Sequence, residues 1–284
     1  MRTLALAAIT LLSACTPSTP PPPATTTTAP PAPAASSAAA VSAAASGSVM
    51  PDSGASRATD TFATTKGALK VTPILHASVL LEVAGQAIYL DPFSKGDFTG
   101  LPRADYVIIT DVHADHLDRK AIDAIATPAT VIVAPAAAVT ELGGRKGVVK
   151  LGNGEKHAFD LFEIEAVAMY NLTRGPAAGK LYHDKGRGNG YVLTFGDKRV
   201  YFSGDTECTP EMKALTAIDV AFVCMNLPYT MPPREAAECV DAFKPKVLFP
   251  YHFGVLGGAT SNLDELDRAL DPKGRVEVRR RKWY

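Results

Sequence analysis

The sequence predicts one α/β layered sandwich. Strand-like runs crowd both ends of the region from Lys66 to Tyr284, and helices fall between them. That order suits stacked sheet and helix layers better than one doubly wound sheet, in which strand and helix alternate throughout. A stretch of about 220 residues is one domain's worth of chain, with room for a sizeable core.

Three strand-like runs open this region: Leu69 to Leu75, Val79 to Val83 and Ala87 to Asp91, with Gly85 supplying the turn between the last two. Tyr106–Ile109 reads as a buried strand. A helix follows from Asp118 to Ala126, with Asp118 able to cap it and Pro128 to stop it. A strand Thr130–Ala134, a short Ala-rich helix and the Gly143-Gly144 break come next, then strands Val148–Leu151 and Phe162–Met169. Residues 171–188 mix Gly, Pro, Lys and Arg without a period. They read as a long loop, and loops of that length in compact domains are usually functional. Gly190–Phe195 and Arg199–Phe202 flank Gly196-Asp197, a hairpin signal. The strand Asp219–Val223, helix Arg234–Phe243, strand Val247–Phe249, helix Leu263–Leu270 and strand Val276–Arg279 complete the pattern.

Residues 1–15 read as an export signal. Arg2 is its basic start, and the apolar run Leu4 to Leu12 is too short to span a bilayer. Leu12-Ser13-Ala14-Cys15 resembles a bacterial lipobox, in which Cys15 would be lipidated and become the mature N-terminus. A plain secretory signal is the alternative. Residues 16–65 are rich in Pro, Thr, Ala and Ser, offer almost nothing to bury, and read as a disordered spacer. The expected location is the cell envelope, lipid-anchored and facing the periplasm, or secreted.

Basic and acidic residues balance at 29 each, which gives no global electrostatic case for nucleic acid. The basic run Arg279-Arg280-Arg281-Lys282 reads as a solvated strand end. Beyond Cys15 stand Cys208, Cys224 and Cys239, an odd count that opposes a disulfide framework and leaves room for one bridge. Cys224 lies in an apolar run and reads as a buried free thiol.

The chemistry gathers just past the Tyr106–Ile109 strand, where residues 111–116 read Asp-Val-His-Ala-Asp-His. A helix cap needs one such residue, whereas four Asp and His side chains in six positions call for a cation. Carboxylate and imidazole together suit Zn²⁺, Mn²⁺ or Fe. Two more strands deliver ligand-type residues into the loops after them, Asp205 in Ser203-Gly204-Asp205-Thr206 and His252 in Pro250-Tyr251-His252. Each alone is a weak signal, and their joint occurrence is a strong one.

These segments, with Leu75-His76-Ala77-Ser78 and Tyr89-Leu90-Asp91-Pro92, resemble the metallo-β-lactamase superfamily of hydrolases over about Lys66 to Tyr284. Within it the chain looks most like the branch containing ascorbate-6-phosphate lactonase. The resemblance implies a four-layer αβ/βα sandwich with a site at the edge between two sheets. It implies that His113 helps bind a first divalent ion, that Asp115, His116 and His252 bind a second, and that Asp205 bridges both. Two positions depart from the family's pattern: Asp111 and Asn171 stand where His residues are expected. Both changes fall on the first ion's site, and Asp111 would harden it toward Mn²⁺ or Fe²⁺.

The expected activity is hydrolysis of a small-molecule ester, lactone or phosphoester by a metal-bound hydroxide, with Asp115 orienting or deprotonating the water. The expected cofactors are two Zn²⁺ or Mn²⁺ ions, or one if the first site is lost. His183, in the long loop, would act either as a substitute ligand or as a catalytic proton donor. His76 reads as a substrate contact, a support for the ligands or a buried structural His, and Asp91 as a support for the ligand loop. His157 reads as an exposed turn residue, and Tyr229 as core or rim packing whose hydroxyl could polarise a substrate oxygen. The rival reading is a non-catalytic lipoprotein that binds a metal or small ligand in a degenerate site. A nuclease is opposed by the export signal and the neutral charge.

Overall fold

The computed structural model describes residues 57–270 and 274–284. The expected export signal, Cys15 and most of the expected spacer lie outside the described residues.

Chain order is sheet order. β1 (Asp60–Thr64), β2 (Gly67–Leu75), β3 (Ser78–Val83), β4 (Gln86–Leu90), β5 (Ala104–Ile108), β6 (Ala126–Ala134) and β7 (Val148–Lys150) lie side by side in one seven-stranded sheet. β8 (Lys156–Ala158), β9 (Glu163–Met169), β10 (Gly188–Phe195), β11 (Lys198–Phe202), β12 (Val220–Cys224), β13 (Val247–Tyr251) and β14 (Glu277–Val278) form a second sheet in the same manner. β1 to β4 are antiparallel and β4 to β7 parallel, and β8 to β11 and β11 to β14 repeat that pattern. Parallel neighbours need long crossovers. These carry α1 (Arg119–Ile125) and α2 (Ala136–Leu142) in the first half, and α3 (Pro210–Lys213), α4 (Pro233–Phe243) and α5 (Leu263–Leu270) in the second.

The period of two in the strands builds the layers. In β3 to β5, Val79, Leu81, Ile88, Leu90 and Ile108 point inward and share one core with Tyr191, Phe202 and Phe222 of the second sheet. Their neighbours Leu80, Tyr89, Val107 and Ile109 point outward and pack with Ile122, Ile125 and Leu142 of α1 and α2. On the far side Phe243 of α4 meets the Tyr201 ring, and α4 packs on α5. The result is the expected αβ/βα order of four layers.

Four details differ from expectation. β1 falls inside the stretch expected to be spacer, so ordered structure begins before Lys66. The Thr-rich composition hid an alternation that pairs Asp60–Thr64 with β2, sets Phe62 edge-on to Phe249 and buries Asp60 against Arg279 and Arg281. α1 is capped by Asp118 as expected, yet it ends at Ile125, because Ala126 is already extended (φ −72°, ψ 157°). Pro128 therefore lies in β6, opposite the register irregularity between Ala104 and Tyr106, where a missing N–H is tolerated. His157 sits in β8, half-buried over Phe159, and not in an exposed turn. The short α3, capped by Thr209, was not legible as a helix.

Cys208 and Cys239 form the one bridge that the count allowed, tying the approach to α3 to α4. Cys224 is free and buried, and burial, with the charge of Asp205, pushes its thiol up to about 12. Among the described residues no helix is long and apolar enough to cross a membrane.

Candidate metal centre

The ligand-type residues all follow strand ends along one edge of the sandwich. His76 follows β2, Asp91 follows β4, residues 111–116 lie just beyond β5, Asp205 lies just beyond β11 and His252 follows β13. His76, Asp91 and His252 have φ of 59°, 40° and 42°. Left-handed backbone at non-glycine residues is costly and collects at functional sites. Gly204 also has φ 59°, and a Cβ there would collide with the sulfur of Met169, so only glycine turns the chain tightly enough to aim Asp205 inward.

Three groups of ligand-type atoms converge, each within 4.8 Å: His116, Asp205 and His252; His76, Asp115 and His252; Asp111, His113 and His183. Nε2 of His116, Nε2 of His183 and Oδ1 of Asp205 are buried without a hydrogen-bond partner, as is Nε2 of His252. The three ring nitrogens stand 3.4, 3.3 and 3.1 Å from Asp205 oxygens for His116, His183 and His252. Burying so many unpaired polar atoms is expensive, and cations among them would satisfy all of them together. The donor set of imidazole and carboxylate fits divalent metals on this ground.

Supporting bonds fix which ring nitrogen is free. Asp91 accepts hydrogen bonds from the Thr110 N–H (2.8 Å) and hydroxyl (2.6 Å), and its Oδ2 lies 2.8 Å from His116 Nδ1. A neutral His116 therefore keeps its proton on Nδ1 and offers Nε2. Asn171 does the same for His183. Its Oδ1 accepts from the His183 N–H (2.8 Å) and faces Nδ1 at 2.7 Å. The amide cannot be reversed, because its Nδ2 donates to Glu207 Oε1 and the Tyr229 carbonyl. Asn171 thus stands behind His183, and His183 points at Asp205 and Asp111. On the other side His76 Nε2 is 2.9 Å from Asp115 Oδ2, and His76 Nδ1 is 3.0 Å from the Tyr284 hydroxyl. That hydroxyl donates to the Gly254 carbonyl and accepts from the Gly254 N–H, both at 2.9 Å.

The electrostatics call for positive charge. Burial works against ionised Asp205, yet the charges of His252 and His116 hold it well below the usual carboxylate range. Asp115 is held low against its burial by the charge of His116 and the bond to His76. His116 is driven well above the usual imidazole range, its burial outweighed by the charges of Asp205, Asp115 and Asp91. Burial lowers His76.

Asp111 has a partner that the sequence did not reveal. Arg187 donates to both of its oxygens, Nε to Oδ1 at 3.0 Å and Nη2 to Oδ2 at 2.8 Å, and its Nη1 donates to the Tyr182 carbonyl. His113 Nδ1 lies 2.9 Å from the same carboxylate, and the His113 side chain is 46% exposed. Against its burial, these neighbours hold Asp111 below the usual range, the bond to His113 first among them. The only signal for Arg187 was indirect: a buried Asp at a His position needs a cation from somewhere. A cavity of about 400 Å³ opens over His76, His113, Asp115, His183 and Asp205, and Tyr229 stands at its side.

All six residues expected to hold metal converge on this edge, and His183 with them. His76, expected as a substrate contact, a support for the ligands or a buried structural His, is buried beside Asp115 and its ring nitrogen lies within ligand reach of the same centre. Asp91 supports the ligand loop as expected, and also backs His116.

The chain belongs to the metallo-β-lactamase superfamily: residues 70–252 match the family model described as the beta-lactamase superfamily domain. Among its relatives is a Flavobacterium johnsoniae protein named UPF0173 metal-dependent hydrolase, 28% identical over 73% of this chain and 94% of its own. A Parabacteroides distasonis crystal structure, solved as a candidate metal-dependent hydrolase, is 42% identical with a TM-score of 0.73, and covers 81% of this chain and 100% of its own. The metallo hydrolase Igni18 of Ignicoccus hospitalis, 21% identical with a TM-score of 0.64 over 75% of this chain and 95% of its own, shares the fold.

Proposed function

We propose that this chain is a metal-dependent hydrolase of small molecules. The reading is carried by the buried, unpartnered Nε2 atoms of His116, His183 and His252 around Asp205. Asp111, His113 and His183 would hold one ion, Asp115, His116 and His252 would hold another, and Asp205 lies between the two sets. Divalent ions such as Zn²⁺ or Mn²⁺, when bound, acidify water and polarise the oxygen of the scissile bond. Asp115, held anionic and steadied by His76, orients the attacking water and takes its proton. In this reading His183 is a ligand and not a proton donor, since its Nδ1 proton is committed to Asn171. Ester, lactone and phosphoester bonds are all within reach of such a centre. The resemblance to the ascorbate-6-phosphate lactonase branch favours a cyclic ester or a small phosphorylated molecule.

The test is hydrolysis of these bond classes after loading with Mn²⁺ or Zn²⁺, with metal content measured alongside. Asp205→Ala should lower kcat/KM by at least about a hundredfold, beyond the range seen for residues that merely support ligands. Unchanged activity in that variant would refute the mechanism.

One observation favours a second reading, a metal- or ligand-binding protein without catalysis. Arg187 already engages both oxygens of Asp111. Two ions per chain after dialysis support the enzyme, and one or none supports the binder.

We also propose that the domain is lipid-anchored through Cys15 in the cell envelope. The Cys208–Cys239 bridge supports an oxidising compartment. Labelled palmitate should enter the wild-type chain and not Cys15→Ala, and labelling of both or neither would overturn the anchor.

A further inference from the structure

We infer that the substrate is a neutral ester or lactone carrying an apolar chain, and not a phosphorylated molecule. The inference rests on the hydrolase reading and concerns what surrounds the metal centre. Beyond the ligands, Phe93, Tyr182, Tyr229, Val255 and Leu256 wall the cavity with one neutral amide, Asn226, and among the described residues no Lys or Arg lines it. Metal centres that hold a phosphate dianion gain from a second, fixed cation at its free oxygens. Here the arginines of the neighbouring loop are committed elsewhere. Arg187 is locked on Asp111 and the Tyr182 carbonyl, Arg174 is paired with Glu207 and Glu235, and Lys185 is paired with Glu211.

The entrance strengthens the argument. Among the described residues the exposed large hydrophobics are Leu172, Leu227, Tyr229 and Val255. Tyr229 and Val255 line the cavity itself. Leu227 lines an adjoining depression with Pro228, Tyr182 and the Glu-paired Arg174, and the Tyr182 ring meets that of Tyr229 at 5.1 Å. Leu172 follows Asn171, which bonds the Tyr229 carbonyl. Leu227, Tyr229 and Val255 therefore lie on loops that meet at the mouth. Leaving apolar side chains in water at one spot marks a binding surface. The carbonyl would sit at the metals, where polar groups converge, and the chain would lie outward across Tyr229, Val255 and Leu227.

The metal-loaded protein tests this in two ways. The first is kcat/KM for p-nitrophenyl esters of rising acyl length, beside p-nitrophenyl phosphate and bis(p-nitrophenyl) phosphate. The second is calorimetric affinity for alkyl-substituted δ-lactams, cyclic carbonyl compounds that resist hydrolysis. Both quantities should rise by roughly threefold per methylene while the chain lies on the rim, and phosphates should be the poorer substrates by at least tenfold. Leu227→Ser with Val255→Ser should flatten the chain-length dependence. Preferred turnover of either phosphate, or a dependence that is absent or survives the double variant, overturns the inference and leaves the hydrolase reading standing. A chain-length dependence of lactam affinity with no turnover of any ester sinks the hydrolase reading and upholds the apolar ligand.

Discussion

The two ligand clusters on either side of Asp205 are built differently. The cluster of Asp115, His116 and His252 draws on the ends of β5 and β13, and His116 and His252 are fully buried. Asp91 backs His116 and His76 backs Asp115. The cluster of Asp111, His113 and His183 draws one member from a long loop and has a half-exposed one in His113, and Arg187 occupies its carboxylate. Rigid strand ends hold a ligand against its own entropy, and a loop must be held by further bonds. The contrast teaches that one centre can pair a tightly built cluster with a tunable one.

The contrast fails first if the clusters hold metal equally well. His252→Ala should weaken the ion held by Asp115 and His116 by at least about a hundredfold, whereas His113→Ala should weaken the ion at Asp111 and His183 by only about tenfold. Metal counts at fixed free Mn²⁺ check this, and equal losses would erase the distinction.

Arg187→Met sharpens it. Without metal, Asp111 keeps His113 beside it and loses its bidentate partner, which should cost about 1–3 kcal/mol of stability. Added Mn²⁺ should restore more stability in the variant than in wild type, because a freed carboxylate can turn to the ion. Thermal unfolding with and without Mn²⁺ reads both effects. No destabilisation of the metal-free variant would mean that the pair is not formed in solution.

Tyr284→Phe probes the firmer cluster more gently. Removing the hydroxyl frees His76 Nδ1 and the Gly254 N–H and carbonyl, which should weaken the ion at Asp115 by about tenfold and lower stability by about 1–2 kcal/mol. Titration calorimetry on the variant would show whether that support reaches the metal.

The smallest effect concerns Cys224. With its thiol pushed up to about 12 by burial and by the charge of Asp205, it should resist iodoacetamide at pH 8 until the protein unfolds. Mass spectrometry of native and denatured samples settles the matter, and native labelling would show that the core behind Asp205 opens.

Much of this was legible along the chain because it is local. Apolar runs and turn residues exposed most of the strands, the Asp118 cap marked α1, and the packing of Asp and His at residues 111–116 announced a cation site. Asp205 and His252 stood out because each follows an apolar run. What stayed hidden was non-local. β1 showed itself only in its pairing with β2 and in the burial of Asp60 against Arg279 and Arg281. Pro128 looked like a helix stop until the irregular register of β5 and β6 gave it a place.

By itself, the sequence determined which residues face the core, which turns are tight and which side chains can bind a cation, since these follow from side-chain chemistry and backbone period. Only the tertiary structure decided that Asn171 stands behind His183, that Arg187 closes on Asp111 and that Tyr284 braces His76. Each of those pairings joins residues 12, 76 or 208 positions apart. Hydrogen bonds and charge pairs act over a few ångströms of space, and a linear pattern carries no record of which distant groups folding will bring within that reach.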